Sequence, residues 1–289
     1  MPVESPAGAA LKEQLKPRRR PIERTVVVML FITGAVSIAI TLGILWELGK
    51  ESLLFFQDEE VSLWGFLTTT TWQPQAGSFG IWPLILGTVY ITVIALIVAV
   101  PIGLAAAIYL SEYAGPRVRG ILKPTLEILV GIPTVVFGFF AITFMTPLLR
   151  GIFGTSTVGF FNVLSAGIVV GFLIVPLISS LAEDAMAAVP DSLRQAAYGV
   201  GANKLEVSLR IVFPAALSGI AAGVVVAMSR AVGETMVVTL AAGASPRNFD
   251  LGSDSIYGHN LTPFEGAQTM TGYIAITASG DLSYNCLLY

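Results

Sequence analysis

Residues 183–214 read EDAMAAVPDSLRQAAYGVGANKLEVSLRIVFP, a stretch of alternating polar and apolar positions with no block able to cross a bilayer. Its punctuation predicts a helical hairpin. Ser192 with Gln195 matches a capping box, in which hydroxyl and amide reciprocally satisfy free backbone N–H groups, so a helix is expected to begin at Leu193. Gly201 fits the stop of that helix, and Asn203 with Glu206 sets a second cap. Pro214 fits the first turn of the next helix, where its missing N–H loses no helical bond.

Long apolar blocks flank the hairpin, Val163 to Leu181 before it and Ala215 to Ala242 after it. Three more, Thr25 to Trp46, Leu84 to Leu110 and Ile128 to Leu148, also reach the roughly 20 residues that a helix needs to cross a hydrocarbon core. The block 25–46 is too long for a signal-peptide core and lacks a small-residue cleavage site, so it is an uncleaved first helix. Composition agrees: 54% of the 289 residues are hydrophobic and 12% charged, against roughly 25% charged in a soluble domain, and mean hydropathy is +0.78. The fold class is therefore all-α, a multi-pass transmembrane helical bundle with five visible spans. Its segments are a basic head (1–24), a first span (25–46), an outer loop (47–83), a core (84–243) containing the hairpin loop (184–213), and a C-terminal segment (244–289).

Twelve of the 16 Lys and Arg fall in alternate segments: six in the head, then Arg117, Arg119 and Lys123, then Arg194, Lys204 and Arg210. The positive-inside rule puts those segments, and the N-terminus, on the cytoplasmic side. The net charge of −3 and the placement of basic residues beside apolar blocks speak for membrane orientation and against nucleic-acid binding. Pro101, Pro133 and Pro176 lie inside apolar blocks, where each favours a kink. Gly167 with Gly171 and Gly219 with Gly223 have the spacing that lets helix backbones approach closely.

Within 215–242 only Arg230 and Glu234 are charged, in the run MSRAVGETMVV (228–238). Four apart on a helix, they share a face and can touch. Each costs roughly 2.5–3.5 kcal/mol near the centre of a membrane helix, so both face the bundle interior. Two roles remain open: a structural ion pair that fixes helix rotation, or a pathway lining in which Arg230 offers its guanidinium to an anion while Glu234 holds it or competes for it. A guanidinium donates two parallel hydrogen bonds that suit tetrahedral oxyanions. Ser229 and Thr235 flank the pair and join the same candidate pathway.

The chain lacks a GxxxxGK[ST] phosphate loop; Gly49-Lys50 is followed by Glu51. The lone Cys286 forms no internal disulfide, the lone His259 has no partner for a metal site, and no catalytic triad is visible.

Gln195, Ala196, Ala197, then Gly201 after three residues, then Ile211 and Pro214, resemble the EAA loop of permease subunits in ATP-binding-cassette importers. Gln195 replaces the family's Glu and Phe213 its Leu, with the spacing intact. RAVGET at 230–235, GIPTVVFGFFA at 131–141 and EGAQTMTGYIA at 265–275 resemble the PstC-type membrane subunit of the phosphate importer. The resemblance implies phosphate as cargo and a coupling helix near 192–204 that docks into an ATPase groove. It also implies a PstA-like second permease subunit, a dimer of ATP-binding subunits and an extracytoplasmic phosphate-binding protein. The setting it implies is the bacterial inner membrane, with ATP used by the partner ATPase and no cofactor bound here. Arg230 and Glu234 match the family's charged pair. The family adds a sixth span after 265–275, whereas this chain stops at SYNCLLY (283–289), so a sixth span is expected to be missing. Alternatives are a permease for sulfate or molybdate, a passive anion channel, or a membrane phosphate sensor.

Overall fold

The computed structural model describes residues 21–57, 61–247 and 262–279. Apolar stretches that leave water must satisfy every backbone N–H and C=O internally, and a helix does so within one segment. Among the described residues, four helices are long and apolar enough to cross a membrane, or five when one bent pair is counted as a span.

Helix α1 (Pro21–Phe55) belongs, through Leu54, to a unit of its own; the second unit runs from Phe55. In that second unit, α2 (Leu63–Thr68) is capped by the Ser62 hydroxyl, which accepts from Gly65 N. A short antiparallel hairpin follows, β1 (Trp72–Gln73) and β2 (Ser78–Phe79), with Trp72 opposite Phe79. Trp72, Phe79, Phe66 and Tyr273 form an aromatic cluster above α3 (Trp82–Ile108). After a π-helical turn, α4 (Pro116–Val130) leads to α5 (Thr134–Phe140) and α6 (Thr146–Phe153), which are joined by a second π-helical turn.

Helix α7 (Val163–Ala187) is the hub, buried over 72% of its most apolar window against 33% for the span that contains α3. Asn162 caps it, its side-chain oxygen accepting from Ser165 N at 2.7 Å. The paired glycines make its contacts close, as their spacing implies. A Cβ at Gly171 would come within 2.9 Å of the Ala95 carbonyl on α3, and one at Gly223 within 2.9 Å of Leu181 Cβ on α7. Beyond α7 come α8 (Asp191–Gly199), α9 (Lys204–Glu206), a π-helical turn, α10 (Phe213–Ala215), α11 (Leu217–Val232), α12 (Met236–Ala241) and α13 (Met270–Ser279).

Three local expectations are corrected. The Ser192–Gln195 capping box does not form: Pro190 is the N-cap, its carbonyl accepts from Leu193 N, and the helix begins at Asp191, which moves Ser192 into the first turn. The block from Ile128 is not one helix, because Pro133 follows Gly131 and Ile132 and stands at a break between α4 and α5. The block from Ala215 to Ala242 is interrupted twice, by a 70° bend before Leu217 and again at Gly233–Thr235. The Asn203–Glu206 box does form, and Gly201 ends α8 with φ 89°. His259 and Cys286 lie outside the described residues.

Candidate functional site

The break after α11 decides what Arg230 and Glu234 can do. Gly233 closes α11, its N–H bonding Ser229 O, and the helix is interrupted over Gly233–Thr235 before α12 begins at Met236. The expected contact at four-residue spacing fails for that reason. The buried Glu234 carboxylate turns forward and accepts from Val237 N at 3.2 Å, capping α12. Its own carbonyl, freed by the break, accepts from the Thr271 hydroxyl at 2.8 Å. Arg230 is half-buried and donates through Nη2 to the Val130 carbonyl at 3.4 Å. No ion pair involving Arg230 is present among the described residues. It stands in the last turn of α11, where a cation is favoured by the helix dipole, and among the described residues its one hydrogen-bond partner is the Val130 carbonyl.

Ser229 is exposed and spends its hydroxyl on Val226 O at 2.7 Å. Thr235 donates to Gly233 O at 3.3 Å and accepts, through its carbonyl, from Thr239. Arg230 thus meets the end of α4 at Val130, immediately before the GIP break at 131–133. Two helix interruptions face each other across this arginine. Broken helices are where membrane proteins free backbone groups beside a cavity. The sequence gives no sign of the Val130 contact.

At one end of the bundle, α8 and α9 form the hairpin. Asn203 Oδ1 accepts from Glu206 N at 2.9 Å while Asn203 N donates to Glu206 Oε2 at 3.0 Å. Ala197 is buried in a cluster with Met186, Val207, Val212 and Ile220, and Ile211 packs against it. Ser192, Gln195, Ala196 and Pro214 are exposed. Arg194 seats α8 against the bundle: Nη2 reaches Glu112 at 3.0 Å and the Met186 carbonyl at 2.8 Å, and Nη1 reaches the Val189 carbonyl at 2.6 Å. Those carbonyls lie at the end of α7, so one guanidinium closes one helix and orients the next. The outer rim is apolar, formed by exposed Leu193, Tyr198, Val200 and Leu205.

Beside this hairpin lies a charge cluster formed by Arg119 and Lys123, which the positive-inside rule counts as orientation markers, with Glu183 and Asp184. Glu183, fully buried near the end of α7, accepts from Arg119 and, at 2.7 Å, from Lys123 Nζ, and Lys123 also pairs with Asp184. Hydrogen bonds to Asp184 and then Glu183 raise the Lys123 pKa, outweighing burial. A signal was available: Arg119 and Lys123 are four apart on α4, and two acids close the apolar run of α7.

Bilayer-length helices, a broken helix at a half-buried arginine and a capped hairpin on one end define a polytopic membrane protein. A family model described as "Binding-protein-dependent transport system inner membrane component" matches residues 99–288, and the chain belongs to that family. It is 33% identical over 269 residues to the probable ABC transporter permease protein YqgH of Bacillus subtilis, covering 91% of this chain and 81% of that one. It is 33% identical to the phosphate transport system permease protein PstC of Mesorhizobium japonicum, over 63% of this chain and 61% of the relative. A PstC of Xylella fastidiosa is 32% identical over 75% of this chain and 72% of its own length.

Proposed function

We propose that the chain is a permease subunit of an ATP-driven importer for inorganic phosphate, with Arg230 as the pathway's anion contact. The observation that carries this reading is the guanidinium at the α11–α12 break: with Glu234 engaged in capping α12, Arg230 offers donors to an oxyanion, and among the described residues no carboxylate pairs with it. Phosphate as the oxyanion rests on the PstC relatives. Thr271 and Thr235 hold the backbone at the break that follows Arg230.

The N-terminus and the α8–α9 hairpin lie on the cytoplasmic side in this proposal, following the distribution of Lys and Arg. The exposed rim of Leu193, Tyr198, Val200 and Leu205 docks an ATP-binding subunit, which hydrolyses ATP, and no cofactor binds this chain. A second permease subunit of PstA type completes the pathway, and an extracytoplasmic phosphate-binding protein delivers the cargo. Alternating access follows when closure of the ATPase dimer moves α8, because Arg194 ties α8 to the end of α7.

The test is labelled phosphate uptake in cells that lack their own importer and carry the partner subunits. Uptake that needs ATP and resists excess sulfate supports phosphate as cargo. Inhibition by excess sulfate shifts the assignment to another oxyanion, and ATP-independent flux shifts it to a channel.

A further inference from the structure

We propose that α2 and Trp82 form an interfacial foot, a surface that seats in the headgroup region of the bilayer at the end of the bundle carrying β1 and β2. Helix α2 is short and uncharged, and its side chains divide sharply. Phe66 is buried in the aromatic cluster, whereas Leu63, Trp64 and Leu67 are 57%, 75% and 48% exposed. Leu63 and Leu67 are four apart and Trp64 adjoins them, so the three make one outward apolar face.

That face is fixed to the top of a membrane span. The Trp82 indole N–H donates to the Leu67 carbonyl at 2.7 Å, and Ile81 N donates to Phe66 O at 3.1 Å. Trp82 opens α3 and is itself 43% exposed. Along α3, Trp82, Val89 and Val93 are spaced seven and four apart, on one stripe of the helix, and Val89 and Val93 are exposed large apolar side chains. The exposed face of α2 is thus tied by two hydrogen bonds to the start of a bilayer-length helix whose own exposed stripe begins at Trp82.

Level decides which medium meets it. Exposed Tyr109 and Tyr113 mark the opposite end of the same span. From Trp82 to Tyr109 the rise is about 40 Å at 1.5 Å per residue, close to the 40–45 Å of a bilayer with its interfacial zones. Trp and Tyr collect at both boundaries, where an apolar ring and a polar edge are satisfied together. Trp82 thus stands at one boundary, and α2, bonded to it, presents Trp64, Leu63 and Leu67 at that depth. The occupant is lipid at the headgroup–acyl boundary.

The test labels the full-length chain with a nitroxide in a Cys286→Ser background at Trp64→Cys. Reference labels sit at Ile97→Cys, on the exposed middle of α3, and at Gln73→Cys, on the polar hairpin. In vesicles of phosphatidylethanolamine and phosphatidylglycerol, the ratio of collisions with oxygen to collisions with a nickel chelate reports depth. The expected ratio at 64 lies above that at 73 and below that at 97. A ratio at 64 equal to that at 73 overturns the proposal, because the face then lies in water and serves a soluble partner. The native side chain gives a second readout: Trp64→Phe is expected to lower the fraction of tryptophan emission quenched by lipids brominated near the headgroup. An unchanged fraction also overturns the proposal.

Discussion

Neutralising Glu183 tests whether the α4–α7 charge cluster contributes stability. In Glu183→Gln the volume is kept and the carboxylate is lost. Its side chain is 1% exposed, while its partners Arg119 and Lys123 are 39% and 26% exposed. A hydrogen bond to a charged group contributes about 1.5–3 kcal/mol, but both cations can regain water, so the low end applies and the expected loss is about 1.5 kcal/mol. The matched control is Asp184→Asn, which removes a carboxylate that is 57% exposed and pairs with the same lysine. As a surface pair it is expected to cost less than about 1 kcal/mol. Equilibrium unfolding in mixed detergent micelles, titrated with dodecyl sulfate, measures both. Equal losses, or a larger loss in Asp184→Asn, would show that burial of Glu183 contributes nothing.

The same unfolding assay checks three further outcomes. Gly201→Ala is expected to cost about 1–2 kcal/mol, purely from the backbone, because φ is 89° and a Cβ there meets nothing within 4 Å; Gly201→Asn is expected to cost less. Gly171→Leu forces a Cβ against the Ala95 carbonyl and Val98, and is expected to cost about 3 kcal/mol, whereas Gly120→Ala in open space on α4 stabilises by about 0.5–1 kcal/mol. The folded-state pKa of Lys123 is raised above its ordinary 10.5, so its contribution is complete below that pH and is lost as pH rises through the folded value. Lys123→Met is therefore expected to be less stable than wild type at pH 8, with the difference shrinking above about pH 10.5.

Residue type and local spacing made part of this molecule legible in advance. The spans are visible because lipid demands long apolar runs, and Asn203 with Glu206 is visible because a capping box closes within one helical turn. Ser192 with Gln195 has the same signature and fails, since Pro190 begins the helix earlier and local spacing cannot rank two competing starts. Arg230 and Glu234 are conspicuous as charges in an apolar run, yet their geometry is not. The four-residue rule presumes a continuous helix, and the break at Gly233 turns Glu234 toward Val237. Contacts across many residues, such as Thr271 with Glu234 and Arg119 with Glu183, depend on packing that no window of sequence contains.

Arg230 as the anion contact is tested most directly by ATP-dependent uptake of labelled phosphate into proteoliposomes containing the complete complex, wild type against Arg230→Gln. The variant is expected to assemble and retain basal ATP hydrolysis while its uptake is lost. Phosphate uptake by Arg230→Gln at the wild-type rate would contradict that role.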